Sequence, residues 1–157
     1  MLKEISFAAM IVALCLLLHV AGLLVMAEWL LPRVPRREHF GRSTPMRSAS
    51  LMILLFSGII VLHVTETSLW AIFYYASSLF KDFETSLYFS LTSYTTIGYG
   101  DVLLPQKWRL LGALEGISGV LLCGISTAFI FAVMSVMFQS RLQQQPTLSE
   151  VTVTPAP

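Results

Sequence analysis

Charge is scarce in this chain. Its 157 residues include 10 Lys and Arg and 9 Asp and Glu, 12% in all, against about 25% in a soluble globular domain. Residues 5–27, 48–65 and 116–140 carry no charge when their histidines are neutral. Cysteine is nearly absent: Cys15 and Cys123 stand alone inside apolar stretches with no partner at ligand spacing, so neither a disulfide nor a metal site is expected of them. No nucleophile–base pair and no phosphate-binding loop can be picked out, which argues against an enzyme, and no organic cofactor is expected. The net charge is +1, and no basic patch with interleaved aromatics lies outside residues 33–47, so nucleic acid is not an expected partner. The first apolar stretch has no ladder of arginines, which excludes ordinary voltage sensing.

Apolar length is what the chain has in abundance. Of its residues 55% are hydrophobic, and about 20 in a row let a helix cross hydrocarbon. Three membrane helices are expected, near residues 5–31, 49–76 and 108–138. Between the first two, Arg33, Arg36, Arg37, Arg42 and Arg47 face one acid, Glu38. Short Arg-rich connections stay cytoplasmic, so residues 32–48 are expected inside the cell and the N-terminus outside. The tail, 139–157, is then cytoplasmic, and its polar, Pro-containing composition predicts disorder. The same arginines suit an anionic lipid surface. A cleaved leader over residues 1–31 is rejected, because its start balances Lys3 with Glu4 and its removal would export the arginines. Trp29 is expected at the inner membrane boundary, with Trp70, Tyr74, Tyr75 and Trp108 at the outer one. These features place the chain in a cell membrane.

Between the second and third spans lies Thr95-Thr96-Ile97-Gly98-Tyr99-Gly100-Asp101, preceded by the amphipathic, aromatic-rich stretch Phe83 to Tyr94. Gly98 and Gly100 take positive φ without a Cβ penalty, which lets neighbouring carbonyls turn towards one axis, with the Thr96 hydroxyl below them. A row of such oxygens can replace the hydration shell of an ion. A helix beginning near Asp82 or Thr85 would aim its negative C-terminal end at the membrane centre, and Asp82 and Glu84 suit its start. A surface turn explains the Gly-Tyr-Gly triplet alone but not its context.

The segment resembles the T-T-V-G-Y-G-D selectivity filter of potassium channels, with Ile97 in place of Val. Residues 49–138 resemble the pore domain of the prokaryotic single-pore-loop potassium channels. The resemblance implies an outer helix in the second span, a pore helix over 87–94, a filter over 95–101 that binds K+ at Thr96, Ile97, Gly98 and Tyr99, and an inner helix in the third span. It also implies a homotetramer, because each chain supplies one of the filter strands around the axis. The expected fold is therefore an all-α membrane protein: three membrane helices and a re-entrant pore helix, with residues 1–31 an additional helix outside the pore domain. Some members of that family carry a carboxylate at the position of Thr92 and a tryptophan at that of Phe89. Their absence here leaves the lateral support of the filter to other residues.

In the third span Gly119 and Gly124 resemble the family's inner-helix hinge, with close packing the alternative for Gly119. Thr127, Phe131 and Ser135 recur at four-residue spacing on one face, and Phe131 is the candidate constriction. His63, Glu66 and Glu115 are ionisable groups at membrane depth, where such groups pair or mark function. They are read, with Thr92 nearby, as one network supporting the filter from behind the pore helix, with a static hydrogen-bonded cluster as the alternative, while His19 reads as a separate, satisfied interior histidine. The expected function is a potassium channel subunit. Two other readings are a non-conducting regulatory subunit, disfavoured by the intact filter, and a membrane metal enzyme using His63 and Glu66, disfavoured because two ligands without a third are too few for zinc.

Overall fold

A computed structural model of the chain describes residues 2–33 and 45–142. The expectations for Arg36, Arg37, Arg42, the Arg47 side chain and residues 143–157 lie outside what it describes. Four α-helices are present among the described residues: α1 (Leu2–Leu30), α2 (Pro45–Ala76), α3 (Phe83–Tyr94) and α4 (Arg109–Leu142). No strand occurs among the described residues. The chain is an all-α membrane protein with three helices, α1, α2 and α4, long and apolar enough to cross a bilayer.

Local sequence explains the helix boundaries. Nothing interrupts the Leu-, Val- and Ala-rich run of α1 until Pro32, which disfavours helical backbone before it. Pro45 opens α2, where its missing N–H removes a donor that would be orphaned anyway. At the far end of α2, Ser78 takes a left-handed φ of 53°, and the amides of Ser78 and Leu79 return to the carbonyls of Tyr75 and Tyr74 at 2.9 and 3.0 Å. This is the usual way a left-handed residue closes a helix. Asp82 caps α3 from extended backbone, accepting the Thr85 amide at 2.7 Å and the Thr85 hydroxyl at 3.0 Å.

The buried side chains form two apolar groups along the helices. One contains Ala8, Ile11 and Cys15 of α1, Trp70 and Tyr74 of α2, Phe89 and Tyr94 of α3, and Leu111 and Leu122 of α4. The other contains Leu23 and Leu30, then Leu51, Leu55 and Ile59, then Val133 and Met137. Along each long helix, a polar side chain falls between these two groups. His19 does so on α1, His63 and Glu66 on α2, and Ser126 on α4.

Trp70 and Tyr74 are both fully buried. Neither ring faces lipid headgroups as a belt residue does: Tyr74 is edge-on to Phe89 of α3 at a ring separation of 5.3 Å, and Trp70 lies 5.9 Å from Tyr74 in the group that includes Ala8, Ile11 and Cys15 of α1. Tyr75, half exposed, keeps an outward position. At the opposite end Arg33 lies over the Trp29 ring at 3.8 Å and donates to the Trp29 carbonyl. Such a pairing suits a boundary where an amphipathic ring meets a cationic one.

Candidate functional site: the segment after α3 and the polar groups behind it

Segment 95–101 leaves the C-terminus of α3 without helix or strand over residues 97–99, and all seven residues are exposed on the single chain. Gly98 has φ 51° and Gly100 φ 80°, as their lack of a Cβ allows, and Thr96 joins them at φ 61°. Positive φ at a β-branched residue is an outlier in an ordinary chain. Sequence reasoning did not reach it, because it gave this conformation to glycines alone. Left-handed backbone thus recurs at 96, 98 and 100, while Ile97 and Tyr99 between them do not share it. Alternating handedness turns successive carbonyls to the same side, whereas in a uniform strand they point alternately to opposite sides.

Two contacts anchor the segment to α3. The Gly98 amide donates to the Thr92 carbonyl at 3.0 Å. At the far end, the Tyr88 hydroxyl donates to the Asp101 carboxylate at 2.8 Å, and that hydrogen bond pushes the phenol above its ordinary range. At the start of α3, the Thr85 amide holds the Asp82 carboxyl below the usual carboxylate range.

On α4, an added Cβ at Gly112, Gly116 or Gly119 would meet α3: the Phe89 ring at 3.1 Å, the Ser93 carbonyl at 3.1 Å and the Tyr94 carbonyl at 2.1 Å respectively. These three glycines let the end of α3 lie directly on the α4 backbone. Gly119 is therefore a contact point, while an added Cβ at Gly124 would meet nothing within 4 Å. Further along α4, Thr127 and Phe131 are exposed and Ser135 half-buried, with Phe131 at 72% exposure on a different side from the packed Val133 and Met137.

Behind α3 there are two polar groups rather than the one expected. Glu115, fully buried, accepts from the Tyr74 hydroxyl at 2.7 Å and the Ser90 hydroxyl at 2.5 Å, and Ser90 Oγ also reaches the Thr67 carbonyl at 2.7 Å. Glu66, equally buried, accepts from the Tyr94 hydroxyl at 2.5 Å, and His63 Nδ1 lies 3.3 Å from it. Each carboxylate thus meets its own residue of α3, four positions apart. Thr92 belongs to neither group: its hydroxyl donates to the Phe89 carbonyl at 3.0 Å, one turn back on its own helix.

His19 is satisfied, as expected, but is not separate. Its Nδ1 lies 2.8 Å from Glu66 Oε1 and its Nε2 3.0 Å from Ser126 Oγ. Ser126 Oγ in turn lies 3.2 Å from His63 Nε2. The two-ligand count for His63 and Glu66 is therefore corrected: ligand atoms of His19, His63 and Glu66 all lie within 4.8 Å of one another. His19 and Glu66 are 47 residues apart, so no local spacing announces the third member. The signal available in the sequence was a polar residue at mid-span on each of three helices.

No characterised protein and no solved structure gives a significant match to the chain. Residues 48–136, which are more than half of the chain and take in α2, α3, segment 95–101 and most of α4, match the ion channel family, and the chain belongs to that family.

Proposed function

We propose that this ion channel subunit conducts potassium selectively as a homotetramer, with segment 95–101 as its filter. The observation that carries the reading is the left-handed backbone at Thr96, Gly98 and Gly100, alternating with Ile97 and Tyr99. That alternation is what lets consecutive carbonyls replace the water around a dehydrated cation. K+ then sits among the oxygens of Thr96, Ile97, Gly98 and Tyr99. The end of α3 adds its negative dipole at the same place.

The exposure of residues 95–101 on one chain supports assembly, because a single strand of carbonyls surrounds nothing and four complete the ring. An open depression of about 510 Å³, lined by Thr92, Thr96, Gly98, Gly116 and Ile117 among others, lies beside the segment and suits a neighbouring copy. Thr127, Phe131 and Ser135 line the lower conduction path, with Phe131 the hydrophobic constriction and Gly124 the point of bending. The arginines of 33–47 hold that connection in the cytoplasm against anionic lipid, with the N-terminus outside and residues after 138 inside a cell membrane.

The reading is tested by potassium and sodium flux into liposomes holding the full chain. Potassium uptake should far exceed sodium uptake. Gly98→Ala should abolish it while leaving the oligomer intact, since no atom of its own chain lies within 4 Å of the added methyl and the φ of 51° strains the alanine backbone that must hold the carbonyls in place. Equal uptake of the two ions by the unmodified chain would overturn the reading.

A further inference from the structure

The polar layer between the two apolar groups cannot complete its hydrogen bonds from its own protons. Five contacts join five side chains. His19 Nδ1 meets Glu66 Oε1 at 2.8 Å, His19 Nε2 meets Ser126 Oγ at 3.0 Å, and His63 Nε2 meets Ser126 Oγ at 3.2 Å. His63 Nδ1 meets the Tyr94 hydroxyl at 2.9 Å, and that hydroxyl meets Glu66 Oε2 at 2.5 Å. Each contact needs one proton between its two atoms. With Glu66 ionised and both imidazoles neutral, the five groups supply four: one from each ring, one from Ser126 and one from Tyr94. The shortfall is one positive charge, which an added proton on a histidine or a bound cation can supply, since no Lys or Arg lies within residues 5–27, 48–80 or 116–140.

We propose that His19, His63 and Glu66 bind a divalent transition-metal cation of the zinc class in the interior of the membrane. Their ligand atoms already lie within 4.8 Å of one another; opening the 2.8 Å His19–Glu66 pair and drawing in the wider ones to about 3.4 Å would match the spacing around a tetrahedral ion with bonds of about 2.0–2.2 Å. Two imidazoles and one carboxylate are a zinc donor set, with the fourth position left to water. Calcium and magnesium, which take oxygen ligands, do not suit it.

The cation also closes the proton count. With both Nδ1 atoms on the metal, both Nε2 atoms carry their protons and donate to the two lone pairs of Ser126 Oγ, and the Ser126 hydroxyl proton is turned to an acceptor outside the five groups. Glu66 binds through Oε1, while the Tyr94 hydroxyl continues to donate to Oε2. Every ligand is then oriented by an outer hydrogen bond, as metal ligands are in built sites. Entry is from the side of His63, whose side chain is 20% exposed while those of His19 and Glu66 are sealed. Cys123 Sγ stands 4.0 Å from His63 Nε2 on that side. The ion would join α1 and α2 to Tyr94, the last residue of α3 before segment 95–101. The binding does not depend on which ion the channel conducts.

The test uses the full chain, purified in detergent, stripped with a chelator and titrated with Co²⁺, whose ligand-field absorption reports tetrahedral nitrogen and oxygen ligands, followed by displacement with Zn²⁺. One ion per chain is expected, together with a zinc-dependent rise in the unfolding temperature. His19→Ala and His63→Ala should lose the absorption. Tyr94→Phe, which removes an outer hydrogen bond, should weaken binding by roughly 10–100-fold. Glu115→Gln, in the other polar group, should bind as the unmodified chain does. Absence of both the absorption and the zinc-dependent stabilisation in the unmodified chain overturns the proposal, leaving a site closed by a proton alone. Equal binding by the two histidine variants also overturns it, and if those variants do not fold, the unmodified chain decides.

Discussion

Gly119 and Gly124 stand five residues apart on α4 under different constraints. An added methyl at 119 would lie 2.1 Å from the Tyr94 carbonyl, which is backbone and cannot swing aside, whereas one at 124 meets nothing within 4 Å. Gly119→Ala should therefore push the end of α3 off α4 and destabilise the protein by about 1–3 kcal/mol, the usual penalty of overpacking. Gly124→Ala should be neutral or slightly stabilising, because alanine is the better helix former. Thermal unfolding of the two variants side by side checks the contrast. Ser90→Ala belongs at the same scale. It removes the hydroxyl whose single proton lies between Glu115 and the Thr67 carbonyl, leaving buried Glu115 with Tyr74 as its one remaining named donor, so a loss of about 1–3 kcal/mol is expected by the same measurement.

At the scale of elements, α3 is the piece whose placement gives the site its form, and its start carries a pH dependence. The Thr85 amide and hydroxyl hold the Asp82 carboxyl below the ordinary carboxylate range. The cap is therefore fully present above the unfolded value of about 3.9 and is lost as pH falls through the lower folded value. A carboxyl titration of Asp82 by NMR should give a midpoint below 3.9, and Thr85→Val, which removes the hydroxyl donor, should raise it. A midpoint at or above the free value would contradict the capped geometry.

The long helices and α3 were legible in the sequence because each is written locally: uncharged runs of membrane length, Pro45 at one start, and Asp82 followed by Glu84 at another. The positive φ of Gly98 and Gly100 was legible for the same reason. Three features were not. Trp70 and Tyr74 read as interfacial because their burial is created by packing with residues of other helices, among them Phe89 of α3 against Tyr74. His19 read as solitary because its partners come from α2 and α4. The left-handed Thr96 runs against the preference of its own β-branched side chain, so its residue type does not announce it.

For the whole molecule, orientation and assembly belong together. If the Arg-rich connection is held inside, as proposed, cysteines placed at Arg36 or Arg42 in a chain lacking Cys15 and Cys123 should react only with reagents that reach the cytoplasm, and labelling from outside intact cells would reverse the topology. α3 would then enter from the external face, so that segment 95–101 meets external potassium first. The central claim is that four such segments form a ring selective for potassium. A planar bilayer containing the full chain, with potassium chloride on one side and sodium chloride on the other, tests it most directly. The account predicts a current that reverses close to the potassium equilibrium potential, and a current that reverses near zero would contradict it.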